Sequence, residues 1–436
     1  MAALSPGVPG TENDARVAVA SVSERVSGPA RPAVAPSEPV SSSRVAGLDG
    51  LRGLAALFVV VNHVFLRAFP GYPVDTAPLW AAWCIYGRFA VVLFIVLSGF
   101  SLALSPARHG WRLDGLARFA RRRARRILPA YWGALVFSLI VAWLLVPPPG
   151  QRAPGAPSVL VNGLLLQNLI HVPSPDRSFW SIAVEAQLYV AFPLLLLLVR
   201  RVGAAAMLTT VTALVVVTGI VAPHVAWLDW HTIQSPPDLA ALFACGIVAA
   251  GIATASRRVR ALPWHWLALV AVAPVLATIA WRGSVWTLDD LLWVDLALGP
   301  AVACLLAALA TGRPAALVRL LDARPIRSLG ASSYSLYLTH GPIVVLAYDE
   351  LVAGRVHQGV PAFLITLAVA VPATVLFAHG FAAVFERPYL RQLQPATPPH
   401  RSPPRLRPAL GRLMARSSVA RFAAFPLIRI TFQKNQ

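Results

Sequence analysis

The run "GLDGLRGLAALFVVVNHVF" is apolar enough to enter lipid, yet it carries Asp49, Arg52 and His63. Ionisable side chains in such a segment are costly and usually face an interior path or cavity. Their types suggest a division of labour. A guanidinium holds phosphate or carboxylate groups, and an imidazole with an ordinary pKa near 6.5 relays a proton from a hydroxyl. Eleven residues separate Arg52 from His63, so a helix of 3.6 residues per turn returns them to nearly one face, about 16 Å apart along its axis. Asp49 lies one turn before Arg52 on about the same face and could help Arg52 meet an anionic ligand. Snorkelling to the interface explains Arg52 alone equally well, whereas His63, beside Asn62, points to function.

Two further clusters carry comparable chemistry. In "FWSIAVEAQLYVAFP", Ser181, Glu185 and Tyr189 recur every four residues and share a helix face. An ionised Glu185 in a span needs a partner, which a histidine from another helix would supply; a carboxylate placed for the helix dipole is the plainer alternative. In "SYSLYLTHGPIVV", Tyr334, Tyr337 and His340 follow at intervals of three. That stripe is fit to line a substrate or donor channel, or else to pack as satisfied core. The basic turn "RFARRRARRILPAYW" orients the chain in a membrane and also offers guanidinium groups, among them Arg122 and Arg125, to the phosphates of a donor. "VLSGFSLALS" lacks the strand–turn–helix context of a hydrolase nucleophile, so Ser98 is not assigned that role.

The elements that must hold these residues are membrane helices. The chain of 436 residues is 57% hydrophobic and 13% charged, with a mean hydropathy of +0.64. The expected fold is all-α and polytopic, with about ten spans near 50–69, 83–104, 128–147, 180–199, 204–224, 238–256, 264–281, 289–311, 329–348 and 360–385. A short apolar piece, Ser158 to Ile170, contains Asn162, Gln167 and Asn168 and reads as a re-entrant element shielded by protein.

The net charge of +20 is almost all arginine, Lys434 being the one lysine. The arginines gather in short loops, which sets membrane orientation and gives no sign of a nucleic-acid partner. Eight arginines lie between Arg108 and Arg126, and others recur at Arg200–Arg201, Arg257–Arg260 and Arg313–Arg327. This alternation puts both ends in the cytoplasm; an eleventh span would invert every later loop. Residues 1–43 read as a flexible cytoplasmic tail without a signal-peptide core, 44–391 as the membrane domain and 392–436 as a basic cytoplasmic tail, with lipid a partner at the surface. Cys84, Cys245 and Cys304 read as packed thiols without metal-ligand spacing. Phosphate-binding-loop, zincin and α/β-hydrolase signatures are absent, as is any inverted repeat.

Taken together, "GLDGLRGLAALFVVVNHVF", "FIVLSGF", "RFARRRARRILPAYW", "FWSIAVEAQLYVAFP", "SYSLYLTH" and "FERPYL" resemble, in order, the acyltransferase 3 family of integral membrane O-acyltransferases. The resemblance extends from about residue 44 to 391. It implies transfer of an acyl group, usually acetyl, from acyl-CoA to a hydroxyl of a carbohydrate, a cell-surface polysaccharide or a glycosylated small molecule, with no permanently bound cofactor. On this reading Arg52 and the 118–126 arginines bind the donor, and His63 deprotonates the acceptor or carries the acyl group briefly. Glu185 orients or charge-balances the histidine, or positions the acceptor, and Asp49, Tyr337 and His340 line the substrate site. The family often has paired acids where this chain has Glu185 and Ala186, and an aromatic before the late histidine where it has Thr339. Some relatives carry an extracytoplasmic hydrolase-like domain, for which this chain is expected to have no room; it should then act alone or hand its product to separate polysaccharide-assembly or natural-product enzymes. Macrolide-type antibiotics are an alternative acceptor, and a proton-coupled transporter or flippase is the alternative class. The arginine and alanine bias suggests a GC-rich bacterium, hence a bacterial plasma membrane.

Overall fold

The computed structural model describes residues 45–144 and 153–391. The tails expected at 1–43 and 392–436 lie outside the described residues. Among those described, every regular element is a helix, because a segment in hydrocarbon must satisfy its N–H and C=O groups internally. The principal helices are α1 (Leu48–Ala68), α2 (Arg88–Arg108), α3 (Leu116–Leu144), α4 (Ala156–Gly163), α5 (Phe179–Val202) and α6 (Ala204–Val221). They continue as α7 (Ala226–Gln234), α8 (Asp238–Thr254), α9 (Trp264–Asp289), α10 (Leu291–Ala310), α11 (Arg324–Ala331), α12 (Ser333–Leu351) and α13 (Val360–Phe385).

Among the described residues, eight helices are long and apolar enough to cross a membrane, and the pair α7 and α8, bent by 50°, adds a ninth if it forms one span. The chain is a helical, multi-pass membrane protein. Of the ten expected spans, 329–348 falls on α11 and α12 and is not among those long and apolar enough by themselves. With 19 residues, α12 rises about 28 Å, but its buried Ser333, Ser335, Thr339 and His340 depress its hydropathy. It is polar because it is central, enclosed by other helices rather than by lipid.

Glycines set how closely that central helix is held. A Cβ on Gly53 would stand 2.6 Å from the Gly330 nitrogen, and one on Gly330 would stand 2.0 Å from the Asp49 carbonyl oxygen. Backbone therefore lies directly on backbone where α11 crosses α1. Ten residues farther along both segments, His63 meets His340. At the far end of α1, the Gly359 N–H donates to the Ala68 carbonyl at 2.8 Å, and Phe65 and Phe69 pack against Phe363 of α13. At the near end, Ser335 Oγ donates to Glu386 Oε2 at 2.7 Å, fastening α12 to the close of α13.

Replacing Gly330 with alanine is expected to displace α11 and α12 from α1. A misplacement of about 1 Å at reacting groups costs on the order of 100-fold in rate, so membrane vesicles containing normal amounts of this variant should show a strongly reduced turnover. Turnover at the wild-type rate would show that the contact does not set the position of His340.

The other half of the bundle is built on the same close approach. A Cβ on Gly99 of α2 would fall 2.2 Å from the Phe243 carbonyl oxygen of α8, and one on Gly246 would fall 2.0 Å from the Val96 carbonyl oxygen. Arg88 ties three helices together, donating to Asp295 Oδ2 at 2.8 Å and to Asp238 Oδ2 at 3.1 Å. Both carboxylates are buried, so the arginine is required to keep them from standing uncompensated.

The short piece after α3 behaves as a protein-shielded insertion. Asn162, Gln167 and Asn168 are buried. Gln167 Nε2 donates to the Phe179 carbonyl and Asn168 Nδ2 to the Trp180 carbonyl, each at 3.0 Å. Tyr131 OH of α3 donates to the Asn162 carbonyl at 2.8 Å. These bonds grip the start of α5, which is where the site begins.

Candidate active site

His63 and His340 approach edge to face, with ring centroids 4.7 Å apart and planes at 71°. His63 is half-buried and His340 fully buried. Their backbone contacts fix where the protons sit. His340 Nδ1 lies 2.7 Å from the Tyr337 carbonyl oxygen, and His63 Nδ1 lies 2.9 Å from the Val59 carbonyl oxygen. A carbonyl can only accept, so each Nδ1 carries hydrogen. His340 Nε2 then presents a lone pair, 3.3 Å from His63 Nδ1, whose N–H it also accepts. The consequence is directional. The nitrogen of His63 left with a free lone pair is Nε2, the atom that can take a proton or act as a nucleophile.

The sequence reading placed His340 among pocket-lining residues; the structure sets its Nε2 3.3 Å from His63 Nδ1, on the side whose proton the Val59 carbonyl already fixes. Tyr337, one turn earlier on α12, hydrogen-bonds through its OH to Ser181 Oγ at 2.6 Å and to the Ser178 carbonyl at 3.3 Å. It is buried and holds the start of α5 against α12, rather than presenting its hydroxyl to a ligand.

A carboxylate missed by sequence reasoning also belongs here. Asp176, in the segment leading into α5, is 7% exposed. Its Oδ1 accepts from the Ser178 N–H and Oγ at 2.8 Å each, while Oδ2 is buried without a hydrogen-bond partner. A Cβ on Gly341, the residue after His340, would lie 2.6 Å from that Oδ2. The carboxylate is close enough to act electrostatically on His63. It can therefore compensate a positive charge that forms on the histidine pair.

Glu185 is not that partner. Its Oε1 accepts from Ser98 Oγ at 2.8 Å and from Tyr189 OH at 2.5 Å, and neither histidine is bonded to it. The four-residue spacing of Glu185 and Tyr189 does make a pair, whereas Ser181 turns to Tyr337 instead. This network lies toward the basic end of the bundle, within electrostatic reach of Arg52 and Arg123.

At that end Arg52 Nη1 donates to Asp49 Oδ1 at 2.8 Å. Asp49 thus steadies the guanidinium through Oδ1. Arg126 lies near Arg52, and Arg123 near Tyr189 and Glu185. Arg122 and Arg125 are exposed. The inward arginine of the basic turn is accordingly Arg123, while Arg126, exposed like Arg122 and Arg125, lies beside Arg52. The phase was available in the sequence: Ile127, Ala130 and Ala134 are buried, and Arg123 precedes them by four, seven and eleven residues on the same face of α3. Among the described residues, no group of three or more His, Cys, Asp or Glu side chains is arranged to hold a metal ion.

A protein-family model for an acyltransferase domain, of the acyltransferase 3 type, matches residues 45–379. Acyltransferase MdmB of Streptomyces mycarofaciens is 28% identical over 374 residues, covering 80% of this chain and 92% of that protein. The putative peptidoglycan O-acetyltransferase YrhL of Bacillus subtilis and the peptidoglycan O-acetyltransferase OatA of Listeria monocytogenes are each 25% identical, over 70% and 71% of this chain. The chain spans about half the length of these last two, 49% and 51%. No solved structure matches it.

Proposed function

The chain belongs to the acyltransferase 3 family and is a membrane O-acyltransferase, and from that premise we propose that it moves an acyl group, most simply acetyl, from acyl-CoA to a hydroxyl of a carbohydrate or glycosylated acceptor. The observation that carries the proposal is the histidine pair, which leaves His63 Nε2 as a base inside the bundle. A hydroxyl is too weak an acid to attack a thioester readily, and a positioned imidazole removes that obstacle. As the acceptor oxygen bonds to the thioester carbonyl carbon, its proton passes to His63 Nε2. Collapse of the adduct breaks the C–S bond, and the proton leaves with the thiol of CoA. Asp176 balances the imidazolium during this interval.

The donor's phosphates are assigned to the basic end, where Arg52, Arg123 and Arg126 converge. Arg52 lies about 16 Å along α1 from His63, a distance suited to a ligand held by its charged end while its reactive end reaches inward. By the positive-inside rule this end faces the cytoplasm of a bacterial plasma membrane, as do both tails. Two relatives are named for O-acetylation of peptidoglycan, which supports a carbohydrate hydroxyl as acceptor.

Arg123→Ala is expected to raise the KM for acyl-CoA about ten-fold, since one charge-assisted contact contributes roughly 1.5–3 kcal/mol. Arg122→Ala and Arg125→Ala should leave it within about two-fold. The reverse pattern would return the donor site to the exposed face of the turn. For the function itself, mass spectrometry of envelope glycans and metabolites from cells with and without the chain should reveal an acyl group present only when it is expressed. Identical acyl profiles would refute the assignment.

A further inference from the structure

A cavity of about 540 Å³ opens beside the last turns of α5, where the segment joining α2 to α3 passes over it. Its floor is Leu113, Pro193, Leu196 and Leu197, and Arg112 and Arg200 stand at its sides with Trp111. Pro193, Leu196 or Leu197, and Arg200 recur at helical spacing, so one face of α5 supplies both the apolar floor and a cation at its end. Trp111 is held in place by α8: a Cβ on Gly251 would lie 3.2 Å from its ring. Neither Arg112 nor Arg200 forms an ion pair among the described residues.

The chemistry of this lining is that of an amphiphile with a phosphate. Two guanidinium groups match phosphate oxygens, an indole is at home at the membrane interface, and leucines take hydrocarbon. The groove is continuous with a lipid-facing surface on α5, where Leu194 is 69% and Val190 79% exposed. It is poorly suited to the nucleotide of the donor, because no lining side chain can accept a hydrogen bond from an adenine amine or a ribose hydroxyl. It is also remote from the histidines. Leu197 lies 16 residues beyond Ser181, about 24 Å along α5 from the residue bonded to Tyr337.

We propose that this cavity is a binding site for an anionic membrane phospholipid, its headgroup phosphate between Arg112 and Arg200 and an acyl chain along Leu197 and Pro193. The site holds the end of α5 and the segment joining α2 to α3 against the bilayer surface, and its existence does not depend on acyl transfer.

Native mass spectrometry of the delipidated full chain, titrated with phosphatidylglycerol or phosphatidylcholine, tests it. Phosphatidylglycerol should be retained about ten-fold more tightly than phosphatidylcholine, and the double substitution Arg112→Gln with Arg200→Gln should remove that preference. The control pair Arg257→Gln with Arg258→Gln, exposed arginines on a different segment, should preserve it. Equal retention of the two lipids would overturn the proposal, as would undiminished preference in the double variant. Loss of preference in the control pair would show diffuse charge attraction instead of a site. Competitive displacement of phosphatidylglycerol by CoA would assign the cavity to the donor.

Discussion

His63→Ala should lower acyl transfer by about 10²–10⁴-fold, the usual contribution of a positioned general base, in membranes that contain the variant at the wild-type level. The expectation follows from the direction of one lone pair. Val59 and His340 both engage the Nδ1 side of His63, leaving Nε2 for chemistry, and no nearby side chain duplicates that atom. His340 cannot substitute, since its Nδ1 is bound to the Tyr337 carbonyl and its Nε2 faces His63. Conversion of His63 to glutamine is a sharper version of the same test, because it keeps a polar side chain of similar length without a basic nitrogen. Rates within a few-fold of wild type in both variants would remove His63 from the proton transfer.

Asp176→Asn should produce the second largest effect, a fall in kcat of about 10–100-fold with little change in the KM for donor. A negative charge near His63 favours its protonated form. That effect matters only while His63 is protonated, so its loss appears in kcat. The asparagine keeps a carbonyl oxygen where Oδ1 accepts from Ser178, so the turn into α5 is preserved while the charge is lost. Ser178→Ala provides the converse, weakening the turn and keeping the charge. If Ser178→Ala impairs turnover as much as Asp176→Asn, Asp176 matters as a turn residue only; if Asp176→Asn alone slows the reaction, its charge serves the histidine pair.

How much of this was legible in the sequence depended on whether the informative spacing lay within one helix. Asp49, Arg52 and His63 fall on α1, and the i, i+3 pairing of Asp49 with Arg52 follows from helix geometry alone. The Glu185–Tyr189 pair was likewise readable as a shared face. Contacts between helices were not. Nothing near Glu185 indicates that it bonds to Ser98 of α2, 87 residues earlier in the chain, and not to a histidine. Asp176 sits in "PSPDRSF", a composition typical of a solvent loop. Its burial arises because Asn162, Gln167 and Asn168 anchor that region within the bundle, a consequence visible only once the helices are assembled. The span at 329–348 was readable in the sequence despite the polar character of α12. A helix enclosed by others has no need of the hydropathy that marks lipid-facing spans, and apolarity alone therefore undercounts the bundle at its centre.

The central claim is that His63 acts as the base that lets a hydroxyl take an acyl group from acyl-CoA. The full chain, reconstituted in vesicles with isotope-labelled acetyl-CoA as the sole acyl source and a mixture of envelope carbohydrates as acceptor, tests it directly. The account predicts label in an ester product with one CoA thiol released per ester formed, and neither with His63→Ala. Labelled ester formed at an undiminished rate by His63→Ala, or carbohydrate carried across the vesicle membrane by the wild-type chain without CoA release, would contradict it.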